Sequence, residues 1–155
     1  MKTVIKNRWN GETICEGEGT VKTVLAAALD TGANLTRADL TGADLTRANG
    51  ISAPVVPNID AAILAAIEKG GCLEMGSWHM CETTHCRAGW AVTLAGLPGK
   101  ILEDRIGSGP AGALIYAASR PGKRVPNFFA NNDEAMEDIR DGASVSECAV
   151  ADQAR

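Results

Sequence analysis

The stretch ANLTRADLTGADLTRANG, residues 33–50, advances in steps of five. It divides into Ala33–Arg37, Ala38–Gly42 and Ala43–Arg47, with Ala48 and Asn49 opening a degenerate further unit. Neither regular structure accommodates that period. On a helix turning about 100° per residue, successive leucines drift by about 140° and form no stripe. On a strand, an odd period sends Leu35, Leu40 and Leu45 to alternate faces. The backbone must therefore turn once per unit to bring each Leu and each Ala back inside.

These A-(D/N)-L-x-x units resemble the pentapeptide-repeat family, over residues 33–52. The resemblance implies a right-handed, four-sided β-helix. Four units make one coil, and one coil rises only about 5 Å. Long stacks in that family are thought to imitate DNA, which a single coil cannot do. Arg37 and Arg47 beside Asp39 and Asp44 also make its outward charge mixed. The coil is expected to be a structural platform whose ends need covering by neighbours.

Working outward, the N-terminal side offers the cover. Asn10-Gly11 in WNGET predicts a two-residue hairpin turn within residues 2–17, placing Ile5, Trp9 and Ile14 on one face. Thr20 is the candidate cap of a helix over about 21–31, with Gly32 as its stop. On the other side ISAPVVPN, residues 51–58, reads as an extended connector. Asn58 then opens a helix to about Lys69 that carries Ile59, Ile63 and Ile67, ended by Gly70-Gly71. Further helices are expected over Thr84–Ala95 (stopped by GLPG), Lys100–Ile106 and Pro110–Ser119. Asn132 is the expected cap of an acidic helix, with Met136 and Ile139 facing inward and residues 144–155 fraying. The predicted fold class is α+β. Hairpin, helix and a single-coil pentapeptide β-helix occupy residues 1–54, and a small helical part occupies 55–155, packed together as one compact unit.

Composition narrows the function classes. With 155 residues and 45% apolar residues, the chain can bury a real core. A net charge of -4 argues against nucleic acid or an anionic membrane as partner. No apolar run reaches the roughly 20 residues of a membrane span, and the start MKTVIKNRWNGET lacks an apolar signal core. Five cysteines without regular spacing read as reduced thiols. A bacterial cytoplasm is the expected location.

WHMCETTHCRAGW, residues 78–90, contains both histidines of the chain. Three readings stand open. As packing, CRAGWAVTLAG is a helix apolar almost all round, with Trp78 and Trp90 supplying buried area and Gly89 a close approach. As a metal site, Cys81 and Cys86 with His79 and either His85 or Cys72 would hold one structural zinc. Adjacent His85 and Cys86 diverge by about 100° on a helix, which weighs against that set. As a nucleophile, Cys86 would lie in the first turn of a helix beside Arg87, with His79 or His85 as base. That last reading makes the chain a small cysteine- or zinc-dependent enzyme centred on Cys86.

The hairpin, the short repeat and then SWHMCETTHCRAGWAVTLAG with ALIYAASRP downstream are similar to a group of small proteins of bacteriophages and prophages. The resemblance implies an accessory protein, without assigned catalytic residues, that binds a host or bacterial-defence component, for example as an anti-defence inhibitor. The expected contact surfaces are GKRVPNFF, where Lys123 and Arg124 precede the aromatic pair Phe128 and Phe129, and the acidic helix near 133–141. The two phenylalanines can equally be core residues.

Overall fold

The pentapeptide segment is gripped on both sides by backbone hydrogen bonds from distant parts of the chain. The computed structural model describes residues 1–43 and 52–152, with the backbone alone for 145–152. On one side stands an antiparallel hairpin of β1 (Lys2–Lys6) and β2 (Thr13–Glu18). Arg8 N donates to Arg37 O, and Asp39 N donates to Lys6 O. On the other side Gly42 N donates to Val125 O, and Val125 N donates to Ala43 O.

Between these grips the chain turns at the expected step. Ala38 N donates to Leu35 O, and five residues later Ala43 N donates to Leu40 O. The Asn34 side chain accepts from Thr36 N at 3.0 Å, and the Asp39 side chain repeats this with Thr41 N at 3.1 Å. Each unit thus closes one backbone turn and one side-chain turn, the local bonding that short Asn and Asp side chains favour. Leu35, Ala38 and Leu40 point inward, all 5% exposed or less. Asp44 to Ile51, and with them the coil as a whole, lie outside the described residues.

The hairpin differs from the expected one. Asn7 and Glu12 close a four-residue loop, and only Gly11 (φ +71°) enters the left-handed region there. A register shift between Ile5 and Lys6 carries Trp9 off the face it was expected to share. Ile5 is buried and Ile14 packs against the core, while Trp9 is 68% exposed. Helix α1 (Val21–Asp30) follows as expected, with the Thr20 hydroxyl accepting from Thr23 N.

The remainder of the described chain is mostly helical. Helix α2 (Ile59–Glu68) begins after Asn58, whose positive φ of 48° turns the connector into the helix without a side-chain cap. A small sheet comes next, from β3 (Cys72–Leu73), β4 (His79–Cys81) and β5 (Thr84–His85), with β5 in the middle, parallel to β3 and antiparallel to β4. Helix α3 (Arg87–Leu94) therefore starts three residues later than the spacing predicted, because Thr84 and His85 pair as strand. GLPG does not merely stop α3. It opens α4 (Gly96–Ile106), where Pro98 suits a first turn that needs no N–H from it. Helix α5 (Ser108–Ser119) packs on α3 so closely that a Cβ on Gly112 would stand 2.6 Å from the Ala88 Cβ.

Helix α6 (Asn132–Asp152) runs well into the tail expected to fray. Its cap is Asn131 rather than Asn132. The Asn131 side chain accepts from Glu134 N, and the Glu134 carboxylate accepts in turn from Asn131 N, a reciprocal capping box. Asn132 instead accepts from Met75 N at 2.7 Å, which ties the helix to the segment after β3. Mixed α+β architecture is thus observed, and one contiguous buried cluster runs from Ile5 through Leu35, Ile63 and Ile115 to Ile139.

Leu40→Asp should lower unfolding free energy in urea by at least about 3 kcal/mol, because an unpaired carboxylate enters the core. Thr41→Asp, on an exposed neighbour, should change it by no more than about 0.5 kcal/mol. Equal effects would show that the step-of-five burial is misassigned.

Candidate functional site

The small sheet determines where the Cys/His segment can act. His79 and His85 are cross-strand partners on β4 and β5, so their rings meet, with centroids 4.8 Å apart. His85 Nε2 lies 3.0 Å from the Glu82 carbonyl oxygen and must donate to it. Its Nδ1 is then an acceptor, which His79 Nδ1 faces at 2.7 Å. His79 Nε2 lies 2.8 Å from Glu103 Oε1. The pattern is satisfied when His79 donates from both nitrogens.

Glu103, on α4, ends this chain of bonds. It also accepts from Lys100 Nζ at 2.7 Å and from the Ser108 hydroxyl. Burial works to raise its carboxyl pKa, but the bonds from Lys100, Ser108 and His79 outweigh it and leave the pKa lowered. Burial lowers the pKa of His85, whose ring also packs edge-on against Trp90 at 4.6 Å.

These bonds decide between the readings of the segment. Two imidazole nitrogens 2.7 Å apart are too close to be ligands of one zinc at about 2.0–2.1 Å each in a tetrahedron. The remaining ring nitrogens are occupied by Glu82 and Glu103. Cys81 is exposed while Cys86 is buried, and among the described residues no group of three or more His, Cys, Asp or Glu side chains is placed to hold a metal ion. The expected set of His79, Cys81, His85 and Cys86, with Cys72 in reserve, does not fit zinc.

The nucleophile reading meets a different obstacle. Cys86 is the N-cap of α3 rather than a first-turn residue, and its Sγ accepts from Gly89 N at 3.3 Å. A helix N-terminus favours a thiolate, but burial dominates and pushes the Cys86 thiol up to about 11. Neither imidazole is hydrogen-bonded to it among the described residues. Gly89 itself is required by packing, since a Cβ there would lie 2.1 Å from the Trp78 carbonyl oxygen. The thiol whose ionisation is favoured is Cys81. Hydrogen bonding by Thr84 and Thr83 lowers its pKa to about 7.

Arg87, expected to assist a thiolate, is turned the other way. It is 1% exposed and enters a buried polar lattice that the sequence reading did not anticipate. Its guanidinium donates to Tyr116 Oη at 2.8 Å, to Asp60 Oδ1 at 2.8 Å and to Asp138 Oδ2. Tyr116 donates to the same Asp60 oxygen at 3.0 Å, and Arg120 donates to the other at 2.8 Å. Both guanidiniums also stand over the Tyr116 ring, about 5 Å from its centroid. Asp60 comes from α2, Arg87 from α3, Tyr116 from α5 and Asp138 from α6, with Arg120 just beyond α5. The signal for it was a charge set inside each of two apolar stretches, Asp60 in IDAAILAAI and Arg87 in CRAGWAV.

The loop of expected contact residues divides. Lys123 and Arg124 are exposed, whereas Phe128 is 4% exposed and packs against Tyr116 at 5.7 Å. Phe128 is thus a core residue. Phe129, half-buried, meets the rings of Trp9 and Trp78 edge-on at 5.7 and 6.1 Å.

Fold and site together define a mixed α+β protein whose histidines and most buried charges are committed to internal bonds. Among the described residues no helix is long and apolar enough to cross a membrane. The family model of pentapeptide repeats (8 copies) matches residues 31–53, which accords with the turn pattern observed from Asn34 to Ala43. No curated protein and no solved structure matches the chain.

Asp60→Ala should cost about 3–5 kcal/mol, since it leaves two guanidiniums facing one another without their shared carboxylate. Thermal or urea unfolding checks this, and a loss under 1 kcal/mol would show that the lattice is not buried as described. Iodoacetamide should label Cys81 with a rate that rises through about pH 7, while Cys86 stays protected until the chain unfolds. Peptide mapping of the alkylated protein distinguishes the two.

Proposed function

We propose that this protein is a non-enzymatic accessory protein, of the bacteriophage or prophage type, that acts in the bacterial cytoplasm by binding a host or defence protein. The observation that carries the reading is the pentapeptide match over residues 31–53, a repeat class suited to protein–protein contact. It is supported by the chemistry of the Cys/His segment. A thiol raised to about 11 and two imidazoles bonded to each other, to Glu82 and to Glu103 serve structure better than turnover.

The exposed cations Lys123 and Arg124 and the acidic first turn of α6, Asp133 and Glu134, lie on either side of Phe128 and Phe129 in sequence. With Phe128 in the core, it is the half-buried Phe129 between these charges of opposite sign that gives a partner an apolar anchor, and the charges give it orientation. Nucleic acid and membrane are not the partners this reading expects, given the net charge of -4.

Affinity capture from bacterial lysate with the immobilised chain, followed by cross-linking, tests the reading. The wild-type chain should retain a defined host protein that the Lys123→Glu, Arg124→Glu double variant loses, with both chains showing the same circular dichroism. Equal retention by both, or retention of none, would defeat it.

A further inference from the structure

A second feature of the surface says what the partner must present. The hairpin loop, the repeat segment and the residues before β4 enclose a cavity of about 260 Å³, with Arg8, Trp9, Arg37, Trp78 and Phe129 in its wall. Two of the three tryptophans of the chain line it. Trp9 is 68% exposed, a large apolar side chain left in water at the mouth.

The rings are already arranged. Phe129 meets Trp9 and Trp78 in edge-on contacts, and the Arg8 guanidinium stands 4.8 Å over the Phe129 ring. Gly109 at the start of α5 keeps the wall open to Trp78, since a Cβ there would lie 3.2 Å from the indole.

Charge and size select the occupant. Arg8 shares its charge with Asp39 at 3.2 Å, and Arg37 makes no ion pair among the described residues. Two arginines lining one aromatic cavity, on a chain of net charge -4, suit a single carboxylate rather than a polyanion. The volume lies below the roughly 300–1,000 Å³ of sites that enclose whole small ligands. It fits one ring-bearing side chain. Trp and Arg together are also the residues that dominate protein–protein contacts.

We propose that this cavity receives an aromatic side chain of the partner protein, with a neighbouring acidic residue paired to Arg8 and Arg37. This rests on the protein-binding reading above and specifies the chemistry of the partner segment.

The test is an NMR titration of the intact chain, reading the indole N–H signals of the three tryptophans. The probes are N-acetyl-Glu-Phe-amide, N-acetyl-Lys-Phe-amide and phenylacetate. The acidic dipeptide should shift Trp9 and Trp78 but not the buried Trp90. Arg37→Gln and Arg8→Gln should each weaken it at least about fivefold, the scale of one lost charge-assisted bond. Trp9→Ala should abolish the shift at Trp78 while leaving the fold intact by circular dichroism. Equal binding of the lysine dipeptide would overturn the charge assignment, and tighter binding of phenylacetate would make this a small-acid site instead. Absence of any shift would overturn the proposal. The titration needs no natural partner, so its failure removes the cavity alone, whereas failed lysate capture removes the broader reading.

Discussion

Arg87 is a cation that water cannot reach, and the helical part of the molecule is built around satisfying it. Desolvating a guanidinium costs several kcal/mol even after relaxation, so it is tolerated only where oxygen atoms meet its donors. Here they come from α2, α5 and α6. The charges balance locally, with Arg87 and Arg120 against Asp60 and Asp138. Such a lattice adds little net stability over a well-packed apolar core. What it supplies is discrimination. Apolar helices rich in alanine slide past one another at small cost, but Asp60 has to meet Arg87, Tyr116 and Arg120 together. A Cβ on Gly142 of α6 would come within 2.3 Å of Asp60 Oδ2, so the lattice also limits how α6 can lie.

The same logic of internal commitment governs the Cys/His segment. Its residue types suggest metal or thiol chemistry, yet β4 and β5 bring the two imidazoles into edge-on contact, and α4 supplies Glu103 as the end point. Pairing in a sheet of very short strands decides this outcome. A helix beginning at Thr84 would have splayed His85 and Cys86 apart instead.

Local pattern made part of this legible. The step of five in residues 33–43 foretold both the turns and the inward leucines, because a period that fits no regular structure leaves few alternatives. Thr20, Gly32 and the apolar stripe of α1 behaved as their chemistry dictates. What could not be read locally were features made by distant partners. Thr84 and His85 form a strand only because Cys72 and His79 flank them. Trp9 leaves its expected face because the loop closes over four residues and Phe129 offers it a ring. The role of Arg87 depends on residues 27 and 51 positions away in sequence, which no window of periodicity contains.

The grip on the pentapeptide segment has a consequence in time. One edge, from Lys6 and Arg8, is made before the segment itself emerges from a ribosome. The other edge is Val125, whose backbone pairs with Gly42 and Ala43. At roughly 5–20 residues per second, synthesis leaves on the order of ten seconds between the segment and its second partner. Through that interval the hairpin side can assemble, but the Gly42 N–H and the Ala43 carbonyl wait in water. The N-terminal part of this protein is therefore completed only once most of the chain has been made, by the same loop that carries Lys123, Arg124 and Phe129.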